Sequence, residues 1–522
     1  MWKRALFAVL PVAVLLILPF ALRPSAPKGT ANTVTQEAEK LVIVTPHTEQ
    51  IRYEFDRAFR LYYQKKYGKD VKIDWRNVGG TSDIVRYIAD RFEAAFRLEY
   101  EKSGKEWTNE VSKNYKNYRV DPAKCEERRM FLNSSCGIGI DIFFGGGTYD
   151  HNRFGRIGIA IPGGVEKRHP EWFKNAVFPA KHAGETLRDA KGRYYGVCLS
   201  SFGIAYNPDR FRDLGLPAPK GWKDLTDPRL FRRTEVADPT KSGSITKCYE
   251  MILQQCMMES AKDLNKGWAD GLMRIKLIAA NARCVTDSAG KLVRDVSSGA
   301  AAAGMCIDFY GFSEAAFTKK LSGGDDRLIY VMPENGSCVS ADPVQMLRGA
   351  PNPHVAKEFL DFLLSKEGQS IWLKKAETEN GPKRTALLRP CVRKDVITNI
   401  PAAENSLPGY NPYEASGRFQ YRGDWTGRYF SLIRVLIKCI ALDPIDDLQK
   451  AWQAVIENGG PEANPEAMAL IRKLPFEFSE AAAAGKKLSG TAAEAAAVRR
   501  QWMEEAAANY RKAAAIAKGG KK

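Results

Sequence analysis

Three times within the first 160 residues a short apolar run stops at a small or glycine-rich turn and gives way to helical spacing. This recurrence constrains the fold more than any other feature. In "KLVIVTPHTEQIRYEFDRAFRLYYQKKYG" a buried strand over Leu41–Val44 leads through a loop into a helix. The apolar positions Ile51, Phe55, Ala58, Phe59 and Tyr62 of that helix follow the helical period. "DVKIDWRNVGGTSDIVRYIADRF" repeats the plan: a strand ends near Trp75, Gly79 and Gly80 turn the chain, and Thr81 or Ser82 caps a helix. "GIGIDIFFGGGTYDHNRF" gives a third strand closed by three glycines. Strands alternating with helices predict a mainly parallel α/β sheet. Ligands of such sheets collect outside the carboxyl ends of the strands. The loops at His47–Thr48, Gly79–Ser82 and Gly145–Thr148 are therefore expected on one edge.

A chain of 522 residues exceeds one ordinary core, and a second α/β unit follows. "RYYGVCLSSFGIAYN" has too few polar residues for a surface loop, and "GAAAAGMCIDFYGFSEAAF" predicts a strand ending at Asp308, just before Tyr310 and Gly311. "RLIYVMPENGSCVSADPVQML" is extended again, ahead of a strong helix in "HVAKEFLDFLLSKEGQSIW". The passages near Tyr195–Tyr206 and Leu328–Val339 are expected to carry the chain out of one lobe and back, leaving a cleft between the lobes. Between them lies "ADPTKSGSITKCYEMIL". Ser242 is suited to cap a helix, and Gly243 lets a ligand approach the backbone. The first-turn N–H groups offer a seat for an anion. Taken alone, the turn reads first as the plain start of a helix.

The formal net charge of +18 favours anionic partners without choosing among them. Basic residues are interleaved with acidic ones, as in "EKSGKEWTNEVSKNYK", and no Lys/Arg tract with aromatics appears, so nucleic acid is not an expected partner. Lys3 and Arg4 followed by the uncharged apolar run Ala5–Leu22 predict an export segment. The run also reaches the lower limit for a membrane span, so cleavage and retention as an anchor both stay open. Export permits disulfides. Cys125 and Cys136, which bracket a polar loop, are the expected pair. CxxC spacing is absent and His is scarce, so neither a metal site nor another cofactor is expected.

The stretches "GVCLSSFGIAYN", "ADPTKSGS", "CIDFYG" and "PENGSCVSADPVQMLRGAPNPHVAKEFLDFLLSKEGQSIW", in this order, resemble bacterial extracellular solute-binding proteins that serve ABC importers. The nearest branch holds ferric-iron, sugar-phosphate and aminophosphonate binders, and the resemblance runs from about Leu41 to Pro390. It implies a two-lobed periplasmic-binding-protein fold of α/β class, with two crossover strands and hinge closure on a ligand. It also implies a membrane ABC permease as partner. Residue by residue, it puts His47, Thr48, Gly80, Thr81, Gly147 and Thr148 in the cleft loops of lobe one, and Ser242, Gly243, Ser244, Asp308 and Tyr310 in those of lobe two. With these motifs around it, the Ser-Gly-Ser turn reads as a ligand contact. Iron-binding members carry a tandem Tyr-Tyr where this chain has Phe309-Tyr310, and a phenyl ring offers iron no oxygen. A phosphonate or sugar-phosphate is the expected solute, with ferric iron or an iron chelate as the alternative.

The expected division is an export signal or anchor over 1–38, lobe one over 39–195, lobe two over 196–335, a return to lobe one over 336–400, and a helical C-terminal extension over 401–522. The Ala-rich end of that extension is expected as a solvated helical hairpin, with docking on a lobe or reach toward a membrane or transporter as alternatives. Two readings come from other classes. A cleft hydrolase lacks support from any GxSxG or HExxH motif. A membrane-tethered sensory module gains from a retained anchor. The expected protein is a monomeric, non-enzymatic receptor in the periplasm or another extracytoplasmic space, with residues 5–22 as the candidate inner-membrane anchor.

Overall fold

The computed structural model describes residues 38–261 and 263–519. The run 5–22, expected as signal or anchor, lies outside them, and no helix among the described residues is long and apolar enough to cross a membrane. The chain opens with β1 (Glu39–Val44), α1 (Glu49–Tyr67), β2 (Val71–Arg76), α2 (Thr81–Lys102), β3 (Ile142–Phe144) and α3 (Thr148–Ile157). The long strand β4 (Tyr195–Tyr206) leads to β5 (Thr234–Ala237), α4 (Gly243–Glu259), α5 (Leu264–Ala280), β6 (Ala282–Thr286), α6 (Ala289–Ser297), β7 (Ala303–Ile307) and α7 (Asp308–Leu321). The elements β8 (Ile329–Val331), β9 (Val339–Leu347), α8 (Pro353–Leu364) and α9 (Lys366–Leu373) follow.

In lobe one, β2 and β3 flank β1 in parallel, β9 runs antiparallel to β3, and β9 takes up β4 from Tyr195 to Ser201. From Phe202 onward the same β4 pairs antiparallel with β7 and β8 in lobe two, where β5 and β6 continue in parallel. The expected parallel pairing thus holds on the outer strands, while the strands that carry the chain out and back run antiparallel. Both expected crossings are present: β4 itself, buried along its whole length, and the return from β8 through 332–338 to β9. The core divides on β4, with Leu199 packed in lobe one and Phe202 in lobe two. Along β1, Leu41 and Ile43 enter one layer and Val42 and Val44 the other, as the two-residue period of a strand requires.

Two expectations are corrected. Cys125 and Cys136 are both free, as are the other eight cysteines. The Cys125 thiol instead donates to the Glu127 carboxylate (3.2 Å), and the Cys136 sulfur accepts from the Ser134 hydroxyl (3.1 Å). The cap of α2 is Gly80 rather than Thr81 or Ser82, with its N–H held by the Asp83 carboxylate at 3.2 Å.

The C-terminal extension is helical, as expected, but it is not a solvated hairpin. It comprises α10 (Phe430–Ile437), a π-helical turn Lys438–Leu442, α11 (Ile445–Glu457), α12 (Pro465–Arg472), α13 (Ala481–Leu488) and α14 (Ala492–Gly519). On α14 the buried residues Ala495, Trp502, Ala506, Tyr510, Ala513 and Ala517 make one stripe, and most of them join the lobe-two core with Ile433, Leu436, Trp452 and Ile471. Alanine's small side chain lets the helix lie close, and the two aromatics fill the remaining gaps. Each large apolar side chain so buried contributes about 1.5–3 kcal/mol. The Lys276 ammonium, buried on α5, donates to the carbonyls of Ile471 (2.9 Å) and Lys473 (2.7 Å), which satisfies the C-terminal end of α12.

Candidate functional site

Six helices begin at one cleft between the lobes, a cavity of about 1100 Å³. The residues preceding α1, α2 and α3 (Thr48, Gly80, Gly147) come from lobe one, and those preceding α4, α6 and α7 (Ser242, Ser288, Ile307) from lobe two. All six line the cavity. Each helix start carries unpaired N–H groups and the positive end of a dipole. In lobe one none of the three caps uses a side chain, whereas in lobe two the Ser242 hydroxyl accepts from Ile245 N–H (3.4 Å) and the Ser288 hydroxyl from Lys291 N–H (3.2 Å). Ser242 and Ser244 also bond each other at 3.1 Å.

Close approach of the lobe-one loops depends on glycine. Gly145 (φ +95°) and Gly146 (φ +102°) adopt left-handed backbone, and a Cβ would lie 2.7 Å from the His47 ring at the first and 2.8 Å from the Thr81 methyl at the second. The three-glycine run therefore does more than turn the chain: it lets the ends of β1, β2 and β3 crowd together.

Of the eleven residues singled out in the sequence, His47, Thr48, Gly80, Thr81, Gly147, Thr148, Ser242, Gly243, Ser244 and Tyr310 line the cavity. Asp308 does not. Its carboxylate turns beneath β4, accepting from the Ser201 N–H (2.7 Å) and hydroxyl (3.0 Å), and burial pushes its carboxyl up to about 6. Ser201 is where β4 leaves lobe one, and the Tyr330 and Tyr410 hydroxyls meet its hydroxyl at 2.9 and 3.1 Å. Asp308 therefore ties the first turn of α7 to the crossing.

Two buried charge clusters lie on the cavity wall. In the first, an Arg389 guanidinium nitrogen sits 2.7 Å from Asp342 and 2.7 Å from the Ser200 hydroxyl, and His47 lies 3.4 Å from the same Asp342 oxygen. Burial opposes the Asp342 charge, but Arg389 and the His47 hydrogen bond outweigh it and hold the carboxyl well below its usual range. Burial also lowers the His47 imidazole, which stays neutral at pH 7. In the second, Lys247 on α4 reaches Glu185 (2.6 Å) and Glu250 (2.9 Å) and lies over the Tyr421 ring at 3.6 Å. Tyr421 and Thr426 donate to Glu250 at 2.9 and 2.6 Å. Around the rim, Arg119, Arg153, Arg156, Lys241, Arg294 and Arg428 are exposed and, among the described residues, have no carboxylate within ion-pair distance. A rim of free cations raises the local concentration of anions.

Residues 173–386 match the family described as bacterial extracellular solute-binding protein. The chain resembles these solute-binding proteins. An uncharacterized protein of Haemophilus influenzae is 29% identical over 241 residues, covering 46% of this chain and 62% of its own. The phosphoglycerate transport regulatory protein PgtC of Salmonella typhimurium is 26% identical over 193 residues, 37% of this chain and 44% of its own. The chain thus spans less than two thirds of the length of these curated relatives. Among solved structures, the periplasmic binding protein AfuA of Actinobacillus pleuropneumoniae with fructose-6-phosphate bound is 19% identical, with TM-score 0.47 over 77% of this chain and 99% of that one. Iron-bound HitA of Pseudomonas aeruginosa is 15% identical, with TM-score 0.46 over 76% and 98%.

Glu185, Lys247, Glu250 and Asp342 fall inside the solute-binding match, while Arg389, Tyr421, Arg428 and Phe430 lie beyond its end. The sequence reading missed all eight. Lys247 carried a faint signal, one helical turn past the Ser-Gly-Ser cap. Glu250 follows on the same helix. The rest reach the cleft only through long-range folding: Glu185 from a short hairpin over Lys181–Thr186, Asp342 from the crossover strand β9, Arg389 from the segment after α9, and Tyr421, Arg428 and Phe430 from the C-terminal extension.

Proposed function

We propose that the chain is the solute-capturing component of an ABC-type importer, holding a small phosphonate or sugar-phosphate in the interlobe cleft and passing it to a membrane permease. Residues 39–195 and 336–400 form lobe one in this reading, and 196–335 form lobe two. The observation that carries it is the meeting of three helix N-termini from each lobe on one cavity rimmed by unpaired cations. Bare N–H groups and hydroxyls bind an anion without transforming it. His47, Thr48, Gly80, Thr81, Gly147, Thr148, Ser242, Gly243, Ser244 and Tyr310 are the proposed contacts, with Arg389 added and Asp308 removed. The site of action is extracytoplasmic.

A second reading, capture of ferric iron or its chelate, draws on the tyrosines of the wall, Tyr194 and Tyr310 among them. Burial raises both phenols, which disfavours phenolate and points to a chelate rather than the bare ion. Thermal unfolding of the full chain against phosphonates, fructose-6-phosphate, phosphoglycerate and ferric citrate separates these readings. A ligand at a hundred times its Kd raises stability by about 2.7 kcal/mol. Stabilisation by a phosphorylated compound recovered unchanged supports the first reading, and stabilisation by ferric citrate alone supports the second. Turnover of the compound points instead to a hydrolase, and no stabilisation by any of them removes both.

A further inference from the structure

The chain beyond the solute-binding match does more than cover lobe two. After α9 it is held on lobe one, where Ser406 N–H donates to the Leu373 carbonyl at 2.8 Å. It then crosses the base of the cleft, where Tyr421 N–H bonds the Ala183 carbonyl at 2.8 Å. Gln254 on α4 clasps it next, accepting from Arg422 N–H (2.8 Å) and donating to the Thr426 hydroxyl (2.6 Å). The following helix, α10, buries Leu432, Ile433, Leu436 and Ile437 in lobe two. Its opposite edge meets lobe one at the mouth of the cleft. The Phe430 ring lies 5.2 Å from that of Tyr149, and the Tyr149 and Ser431 hydroxyls are 3.5 Å apart. Arg434 reaches the Ser82 hydroxyl at 3.4 Å, with the Asp150 charge close by. Tyr149 and Asp150 sit in the first turn of α3 and Ser82 in that of α2, the two helices whose bare N-termini face the cavity.

We infer that α10 is a latch across the cleft mouth: rooted in lobe two, it holds the first turns of α2 and α3 in lobe one through Phe430 and Arg434, so the lobes part only when these contacts break. Arg434 and Phe430 are positioning residues in this scheme, acting on the cleft through α2 and α3. The contacts join one part of the chain to another, so the latch itself stands apart from the proposed solute; its effect on exchange rests on that reading.

The test measures the lobe-to-lobe distance in the full chain by pulsed electron spin resonance. Spin labels go on the exposed positions Leu98→Cys of α2 and Leu321→Cys of α7, with Cys284→Ser removing the only native thiol that is not buried. The parent is expected to give one narrow distance distribution. Phe430→Ala with Arg434→Ala is expected to add a second, longer population, and Arg434→Lys to restore the narrow one. Arg434→Gln alone, which keeps the apolar face of α10, gives the same answer if the double variant unfolds. Identical distributions in parent and both variants overturn the latch, whatever binds. If fructose-6-phosphate proves a ligand, its release is expected to quicken about tenfold in Arg434→Gln, equivalent to about 1.4 kcal/mol; an unchanged rate removes the link between latch and exchange.

Discussion

The two lobes bring the same device to the cleft, three helix N-termini each, but finish it differently. Lobe one leaves its N-termini without side-chain caps and crowds them together with glycines at 145–147, whereas lobe two caps two of its three with serines. Lobe one also completes its core largely from 39–201 and 339–407, while lobe two needs the distant helices of 430–519. The contrast separates two ways of fixing a cleft loop. One depends on backbone shape with the donors left free; the other depends on local hydroxyls and on remote sequence.

The largest effect is expected where the lobes meet. Lys247→Met leaves Glu185 and Glu250 buried without their cation and should cost about 3–5 kcal/mol of unfolding free energy, read by urea denaturation. If the loss is no greater than for a surface lysine, the pair does not join the lobes energetically. Next comes the backbone of lobe one: Gly145→Ala should cost about 2 kcal/mol or more, because φ is +95° and the new methyl meets His47. Gly243→Ala in lobe two meets nothing and should change stability little.

Acidity brings a further effect at Asp308. The Asp308 carboxyl is raised above its ordinary 3.8 to about 6, so the folded state holds its proton more tightly than the unfolded chain does. The resulting stability is complete below pH 4 and lost as pH rises through 6, a swing of roughly 3 kcal/mol. His47 and His151 are buried neutral and act in the opposite sense below pH 6.5. The comparison is therefore parent against Asp308→Asn at each pH, and their difference should not change between pH 4 and 7 if Asp308 titrates normally. The smallest effect sharpens the contrast in caps: Ser242→Ala should cost about 1 kcal/mol, whereas Thr48→Ala, which loses no cap bond, should fall within about 0.5 kcal/mol of the parent. Equal losses would erase the distinction between the lobes.

Much of this arrangement was legible because it is local. Strand, turn and helix follow one another within about thirty residues, so periodicity and glycine located β1 to β3 and the loops after them, and the Ser242 cap could be read from its neighbours. Asp308 was misplaced by one detail: it is a strand-end residue, yet as the first residue of α7 it finds the Ser201 amide beneath it rather than the cavity. Arg389 and Asp342 could not be found locally, because their pairing with His47 spans most of lobe one's sequence. The Ala-rich tail misled for a compositional reason. Alanine in plenty suggests a solvated helix, but a stripe punctuated by Trp502 and Tyr510 serves equally for close packing.

The two connections between the lobes are mechanically unequal. One is β4, a single continuous strand of twelve buried residues that pairs in both half-sheets. The other is irregular backbone over 332–338 between β8 and β9. A stiff member beside a slack one favours torsion about the stiff axis over symmetrical spreading. The cavity would then widen chiefly on the side away from β4, and a solute would leave along one preferred path.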